Sequence, residues 1–187
     1  IGAADVLGAI GAYPVIFDGN AGIKAEDIIH KTRGDYPVEA YTGELPEKVW
    51  ERLDLAVLSP GVPTDIPMVK KFFAQGLPVW GEVELAYQLG KGRVLAVTGT
   101  NGKTTTTALL GKIMRDYCPS VFVVGNIGTP YTEEALKMRE DSVTVDEISS
   151  FKMETIDTFA PEVSAILNNK EDHMNRHNTM DESNRVK

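Results

Sequence analysis

The chain alternates short apolar runs with longer stretches of helical pattern. The apolar runs contain few polar residues, which is typical of strands that are covered on both faces. The longer stretches are typical of helices with one apolar side. The predicted strands lie at 13–17, 55–58, 77–80, 94–97, 121–124, 142–145 and 163–167, and the predicted helices at about 65–75, 82–89, 103–117, 131–139 and 151–159.

Strands that alternate with helices predict an α/β protein with parallel sheets. Ligands bind such sheets at the carboxyl ends of the strands. A short, glycine-rich and charged segment at 89–93 precedes a new strand, so we predict one domain over 1–91 and a second over 92–187. The few strands of the second domain would leave an open sheet edge, and we therefore expect that domain to continue beyond Lys187.

The composition and net charge of the chain indicate which classes of ligand it can be expected to bind. The 187 residues carry a formal net charge of -8 at pH 7, with 42% hydrophobic and 25% charged residues, as in ordinary globular proteins. Nucleic acid is not an expected partner, because the chain has no long Lys/Arg run. An acidic protein can still bind phosphates, since such sites are built locally from backbone N–H groups and one or two cations.

The expected location is the cytoplasm. The single cysteine, Cys118, excludes a disulfide framework and is compatible with a reducing compartment. No apolar run reaches the roughly 18 residues of a membrane span. The first residues also lack the charged and apolar pattern of a signal peptide, so we expect no membrane association.

A phosphate-binding loop is the strongest functional signal. Residues 94–107 read VLAVTGTNGKTTTT, in which a buried strand leads through Gly99 and Gly102 into a helix. Glycines let backbone N–H groups approach phosphate oxygens, and a helix N-terminus adds unpaired donors and a positive dipole end. Lys103 can reach the β- and γ-phosphates of a nucleotide, and the Thr104 hydroxyl can ligate Mg²⁺.

The loop departs from the usual P-loop pattern at one position. That pattern places a glycine five residues before the Gly-Lys pair, where this chain has Val97. The alternative interpretation is a simple glycine turn with a solvated Lys103. The order of strand, loop, Lys-Thr pair and helix favours phosphate binding.

Further polar residues follow the predicted strands. Glu147 ends a buried strand, and a carboxylate there suits Mg²⁺, although such a residue can also belong to a solvated turn. Asn126 lies in GNIGTP (125–130), where its amide can bind a substrate or merely tolerate a left-handed turn. His173 and His177 come shortly after the last strand. No further His or Cys accompanies them, which argues against zinc, and a surface role is the alternative.

Taken together, these segments resemble the Mur ligase family, which joins amino acids to UDP-muramoyl precursors of peptidoglycan. TGTNGKTTT (98–106) is similar to the phosphate loop of that family, which accounts for the departure at Val97. Other segments are similar to the members that use D-glutamate: SPGVP (59–63), PVWGEVELAY (78–87), GNIGTP (125–130), EISSFKME (147–154) and DHMNRH (172–177). The resemblance covers the whole chain.

The resemblance implies a fold, substrates and cofactors. It implies a Rossmann-like UDP-binding domain at 1–91 with a clipped N-terminus, the front of a P-loop ATPase-type domain at 92–187, and a further domain for the amino acid. It implies ATP and Mg²⁺, with UDP-N-acetylmuramoyl-L-alanine and D-glutamate as substrates. We expect the 187-residue chain by itself to have no ligase activity.

The resemblance also assigns roles to single residues. Asp18 would face the uracil, Gly61 would lie near the nucleotide, and Asn126 and Ser149 would contact the UDP-muramoyl substrate. The ATP phosphates would be held by Gly99, Thr100, Asn101, Gly102, Lys103, Thr104 and Thr105. The Mg²⁺ ligands would be Thr104, Glu147, His173 and Lys187.

Lys187 is implied by position alone. In the family, a lysine shortly after the DHxxRH run carries a carbamate made from CO2, and counting along the pattern places it at Lys187. Lys103, His173 and Lys187 are therefore the predicted catalytic residues. The chain departs from the family where Lys152 replaces a glutamine, where 169–170 lacks an apolar-plus-hydroxyl pair, and where 181–184 lacks an aromatic residue.

The implied reaction has two steps. The substrate carboxylate attacks the γ-phosphate of ATP, and the amine of D-glutamate then attacks the resulting acyl phosphate. One alternative is a sister enzyme, such as another muramoyl ligase or a folylpolyglutamate synthase, against which SPGVP and GEVELAY argue. A second alternative is a non-catalytic nucleotide-binding module, which would keep Lys103 and Glu147 but show no turnover.

Overall fold

The computed structural model describes residues 1–168, in which helices alternate with parallel strands. The helices are α1 (Gly2–Ala9), α2 (Ala25–Ile29), α3 (Glu47–Trp50), α4 (Pro67–Ala74), α5 (Glu82–Leu89), α6 (Lys103–Tyr117) and α7 (Tyr131–Ala135), and a 3₁₀ helix spans Ser150–Thr155. The strands are β1 (Val15–Asp18), β2 (Glu39–Thr42), β3 (Ala56–Leu58), β4 (Val79–Gly81), β5 (Arg93–Thr98), β6 (Val121–Gly125), β7 (Val143–Glu147) and β8 (Val163–Ile166).

Four strands form a central parallel sheet in the order β6-β7-β5-β8. Successive strand residues point to opposite faces. Val123 lies against Gly111 of α6, whereas Val124 joins Ala86 of α5 and Tyr131 of α7 in a buried cluster. Helices therefore lie on both faces of this sheet, and the predicted parallel α/β class is confirmed. The inner strand β7 is buried at all five positions although it includes polar residues, whereas the edge strand β8 is largely exposed.

The first part of the chain forms two smaller parallel sheets. β1 pairs with β2, and β3 pairs with β4. Within residues 1–168, β1 does not pair with β3. An open cavity of about 490 Å³ lies between them and is lined by Val15, Phe17, Leu55 and Val57. The structure therefore shows parallel α/β units here, while the Rossmann-like arrangement remains a prediction.

Helix α5 joins the two parts of the chain. It directly follows β4, yet its buried residues pack on the central sheet: Val83 shares a core with Ala96 and Ile148. The other buried side chains of α5 include Leu85 and Ala86, which are almost fully inaccessible to solvent. The predicted boundary after residue 91 remains a prediction, and the helix before it contributes to the core of the second part.

Most predicted elements are confirmed in position. α5 and α6 occupy the predicted ranges, 82–89 and 103–117, but α7 ends at Ala135 and the last predicted helix is a 3₁₀ helix. Among the described residues, α6 is the longest helix, and none is both long and apolar enough to cross a membrane.

Four elements were not predicted: α1, α2, α3 and β2. α2 and α3 have only five and four residues, too few to show a helical period. β2 reads Glu39-Ala40-Tyr41-Thr42, is half-buried throughout and lacks an apolar run. Tertiary contacts therefore decide these short elements more than local pattern does.

Glu84 of α5 is a buried carboxylate that holds the chain after the 3₁₀ helix. Its Oε2 accepts hydrogen bonds from the backbone N–H groups of Asp157 (2.9 Å), Thr158 (3.1 Å) and Phe159 (2.9 Å). Its Oε1 accepts bonds from the Thr158 hydroxyl (2.7 Å) and the Gln88 amide (2.8 Å). Burial raises the pKa of Glu84, but these donors outweigh burial, and its pKa lies below the usual value.

We predict that Glu84→Gln destabilises the fold by about 2–3 kcal/mol at neutral pH, because it turns an acceptor that faces backbone N–H groups into a donor. Since the folded-state pKa of Glu84 is lowered, its contribution is complete above the unfolded-state pKa. The contribution is lost as the pH falls through the folded-state pKa. Urea denaturation at neutral and acidic pH should show the gap between wild type and variant closing toward acid.

The matched control is Glu82→Gln, which changes a partly exposed carboxylate on the same helix. It should cost little at any pH. A gap between wild type and Glu84→Gln that stays constant down to the unfolding pH would contradict the titration of Glu84.

Candidate active site

The phosphate loop connects β5 to α6, as the sequence predicts. Two of its glycines require conformations that other residues rarely adopt: Gly99 has φ +140° and Gly102 has φ +85°. A Cβ on Gly99 would lie 3.1 Å from the main-chain oxygen of Asn168. α6 begins at Lys103 without a side-chain cap and without an acidic residue in its first turn. Its first N–H groups and positive dipole end are therefore available to an anion.

Lys103 folds back over the loop. Its Nζ donates hydrogen bonds to the main-chain oxygens of Gly99 (2.8 Å) and Thr100 (3.0 Å). Within the described residues, no carboxylate forms an ion pair with it. The positive charge is thus placed at the loop and remains available to a phosphate, which supports the predicted role of Lys103 over that of a solvated lysine.

The first amides of the loop already have partners. The backbone N–H groups of Thr100 and Asn101 both donate to the side-chain oxygen of Asn168, at 3.1 and 2.9 Å. We predicted that all residues from Gly99 to Thr105 contact ATP. Within residues 1–168, the donors left without a partner at the N-terminus of α6 belong to Gly102, Lys103, Thr104 and Thr105. Asn168 is not among the predicted site residues, and its only signal in the sequence is its place directly after a predicted strand.

Glu147 lies beside the loop at the same edge of the sheet. It ends β7 and pairs in register with Val97, two residues before Gly99. Glu147 is only 3% exposed, and its Oε2 has no hydrogen-bond partner among the described residues. A buried and unpaired carboxylate oxygen is costly unless a cation or donor compensates it. The position therefore fits a cation next to a phosphate.

Asn126 and Ser149, predicted to contact substrate, are brought together by the sheet. They follow the neighbouring strands β6 and β7, and the Asn126 side-chain amide donates to the Ser149 hydroxyl. The Asn126 backbone N–H also donates to the main-chain oxygen of Glu147 at 3.1 Å. A single polar edge therefore carries Asn126, Glu147, Ser149 and the phosphate loop.

The remaining predicted residues are separate from this edge or outside the described residues. Asp18 lines an open cavity of about 640 Å³ between β1 and β3. Gly61, with φ +101°, lines a small cleft together with Gly81 and Lys152. His173 and Lys187 lie beyond residue 168, and their roles stay predictions. Within residues 1–168, no three His, Cys, Asp or Glu side chains form a group that could hold a metal.

Comparisons with known proteins agree with this geometry. Residues 97–187 match the Mur ligase middle domain. The chain is 52% identical over 181 residues to the UDP-N-acetylmuramoylalanine--D-glutamate ligase of Lachnospira eligens and 51% identical over 181 residues to that of Lachnoclostridium phytofermentans. It is 43% identical over 176 residues to that of Clostridioides difficile.

The chain belongs to the Mur ligase family. The first two alignments cover 97% of this chain and 40% of each relative, and the third covers 94% and 39%. The chain thus spans about two fifths of the length of the curated relatives that it matches.

Asp146 is a buried residue of this Mur ligase chain that the sequence analysis did not single out. It is 0% exposed, and neither carboxylate oxygen has a hydrogen-bond partner among the described residues. Burial raises its pKa to about 7; nearby Lys152 lowers the pKa and Glu147 raises it. The available signal was a charged residue in the otherwise apolar run that forms β7.

We predict that Asp146→Asn flattens the pH dependence of stability. The pKa of Asp146 is higher in the folded state than in the unfolded state, so the unfolded chain loses the Asp146 proton at a lower pH than the folded protein does. The free energy of unfolding therefore falls as the pH rises from about 4 to about 7. The variant cannot ionise there, and it should be more stable than wild type by about 2–4 kcal/mol above pH 7. Urea denaturation at acidic and alkaline pH measures this difference.

Asp116→Asn, an exposed substitution on α6, is the control and should follow wild type. Parallel stability profiles for wild type and Asp146→Asn would show that Asp146 is ionised in the folded protein at neutral pH.

Proposed function

We propose that the full-length protein is an ATP-dependent ligase that adds D-glutamate to UDP-N-acetylmuramoyl-L-alanine during peptidoglycan precursor synthesis. One observation carries the proposal: an uncapped phosphate loop with Lys103 above it lies beside the buried, unpaired oxygen of Glu147. This arrangement suits a nucleotide triphosphate with a divalent cation. Family membership and the names of the relatives supply the class of reaction and the substrates.

The proposed division of labour follows the order of the chain. Residues 1–91 would form a Rossmann-like domain that binds the UDP part of the substrate, and 92–187 the front of the ATP-binding domain. In support, β1 and β3 belong to parallel pairs; Asp18 is the last residue of β1, and Gly61 lies three residues after β3. Ligands bind at such ends in parallel α/β proteins. The site for D-glutamate is proposed from the relatives alone.

The residues at the edge of the sheet fit Mg²⁺. This ion prefers hard oxygen ligands, which the Glu147 carboxylate and the Thr104 hydroxyl supply. His173 and Lys187 would complete the proposed set. The unpaired Oε2 of buried Glu147 is the structural feature that favours a cation. When bound, Mg²⁺ would offset negative charge on the ATP phosphates.

The chain's own residues would act mainly by position and charge. The amides at the N-terminus of α6 and the Lys103 ammonium would hold the phosphates and stabilise charge on the transferring phosphoryl group. The muramoyl-alanine carboxylate would attack the γ-phosphate, giving an acyl phosphate and ADP. The D-glutamate amine would then attack the acyl carbon and release phosphate. Asn126 and Ser149 would orient the substrate. The proposed place of the reaction is the cytoplasm, where ATP and both substrates would be available.

A phosphate-release assay on the full-length protein tests the function. ATP, UDP-N-acetylmuramoyl-L-alanine and D-glutamate together should give turnover, whereas glycine or L-lysine in place of D-glutamate should not. Nucleotide binding without turnover would indicate the non-catalytic alternative. Turnover with a different amino acid would indicate a sister ligase.

Lys103→Ala should lower kcat of the full-length enzyme by roughly 10²-fold or more, the scale of losing one preorganised electrostatic contact. Steady-state ADP release at saturating substrates measures the loss. Lys112→Ala, which removes an exposed lysine from the same helix, is the matched control and should keep wild-type kcat. A Lys103→Ala enzyme with near-normal kcat and ATP affinity would rule out the proposed role.

Lys187→Ala should leave the full-length enzyme nearly inactive. An ammonium would repel Mg²⁺, whereas a carbamate formed on the neutral amine carries a negative charge and two hard oxygens. The position agrees with the family interval, because Lys187 lies fourteen positions after His173. Added acetate should partly restore the activity of the variant by supplying a carboxylate. Wild-type activity of Lys187→Ala in CO2-depleted buffer would show that Lys187 has no such role.

A further inference from the structure

Asn168 makes a two-point contact with the phosphate loop. Its side-chain Oδ1 accepts hydrogen bonds from the backbone N–H groups of Thr100 (3.1 Å) and Asn101 (2.9 Å). Its Nδ2 donates to the main-chain oxygen of Asn101 at 2.8 Å. The main-chain oxygen of Asn168 also accepts from the Thr100 N–H at 3.1 Å. We call this set of bonds the Asn168 clamp.

The contact requires a carboxamide. Both the N–H and the C=O of Asn101 bond to the same side chain, which must therefore present an acceptor and a donor side by side. Flipping the amide would set its NH2 against two N–H groups and its oxygen against a carbonyl, so the orientation is determined by the partners. Aspartate would keep the acceptor but would place an oxygen against the carbonyl of Asn101.

The clamp also acts on Lys103 through the loop. The Lys103 Nζ is held by the main-chain oxygens of Gly99 and Thr100, which belong to the segment that Asn168 fixes. The end of β8 is itself tied to β5, since the Leu167 N–H donates to the main-chain oxygen of Thr98 at 3.0 Å. The position of the ammonium therefore depends on a residue more than sixty positions away in the sequence.

We propose that Asn168 is a positioning residue that presets the phosphate loop before nucleotide binds. The amides of Thr100 and Asn101 stay with Asn168, and the phosphates are received by Lys103 and by the amides of Gly102, Lys103, Thr104 and Thr105. A preset loop spares the nucleotide the entropic cost of ordering it. The nucleotide part of this inference rests on the proposed function, whereas the clamp does not.

Amide hydrogen exchange followed by NMR tests the clamp without any activity. In wild type without nucleotide, the amides of Thr100 and Asn101 should be protected, and adding Mg-ADP should protect residues 102–105 further. Asn168→Ala should speed the exchange of the Asn101 amide by about tenfold or more, the effect of losing roughly 1.4 kcal/mol of hydrogen bonding. The Thr100 amide should change less, because its N–H keeps the main-chain oxygen of Asn168 as an acceptor. Asn168→Asp keeps the acceptor and should retain much of that protection. Ser164→Ala, an exposed substitution in β8, should match wild type.

Titration with Mg-ADP distinguishes a positioning role from a merely structural one. Asn168→Ala should bind Mg-ADP about tenfold more weakly than wild type while β5 and β7 keep their amide protection.

Unprotected amides at Thr100 and Asn101 in wild type would overturn the clamp. Unchanged affinity in Asn168→Ala, despite lost protection, would overturn its positioning role. Protected amides in a wild-type protein that binds no nucleotide would instead overturn the proposed function. If Asn168→Ala does not fold, Asn168→Leu, which removes both polar side-chain atoms at similar volume, carries the affinity test, and wild-type affinity in that variant would overturn the positioning role.

Discussion

Val97 of β5 and Glu147 of β7 pair side by side in a parallel sheet, and the arrangement of the candidate site depends on this pairing. Parallel strands end at the same edge, so the loop that follows β5 and the carboxylate that ends β7 must be neighbours. The same rule places Asn126 at the end of β6 and Asn168 just after β8. Residues from distant parts of the sequence thus meet along one edge without any local sequence signal for the contact.

The buried carboxylates divide by whether their oxygens have partners. Glu84 accepts five hydrogen bonds from Asp157, Thr158, Phe159 and Gln88, and it stabilises the connection between α5 and the segment before β8. The Oε2 of Glu147 has no partner among the described residues. A satisfied buried charge serves the fold, whereas an unsatisfied one beside a phosphate loop is suited to a cation.

The phosphate loop has a similar division among its backbone donors. Backbone N–H groups must remain unpaired to bind an anion, but a loop with no internal contacts would be disordered before binding. The Asn168 contacts occupy the amides of Thr100 and Asn101, and within the described residues no side chain caps the N–H groups at the start of α6. The paired amides of Thr100 and Asn101 therefore keep the loop ordered, whereas the amides at the start of α6 are suited to bind an anion.

The sequence by itself determined the parallel α/β class, the positions of β5, α5 and α6, and the Gly-Lys-Thr loop that connects β5 to α6. These features have local causes, because apolar runs, helical periodicity and a Gly-Lys-Thr segment act over a few neighbouring residues. Only the tertiary structure decided that β5 lies between β7 and β8, that α5 packs on the central sheet, and that Asn168 bonds to the loop. Strand order and side-chain partners depend on contacts between residues far apart in the chain. Such contacts produce no periodic pattern that could be recognised in a single sequence. The buried state of Asp146 was decided in the same way, since two covered sheet faces, and not the residue type, place that carboxylate out of water.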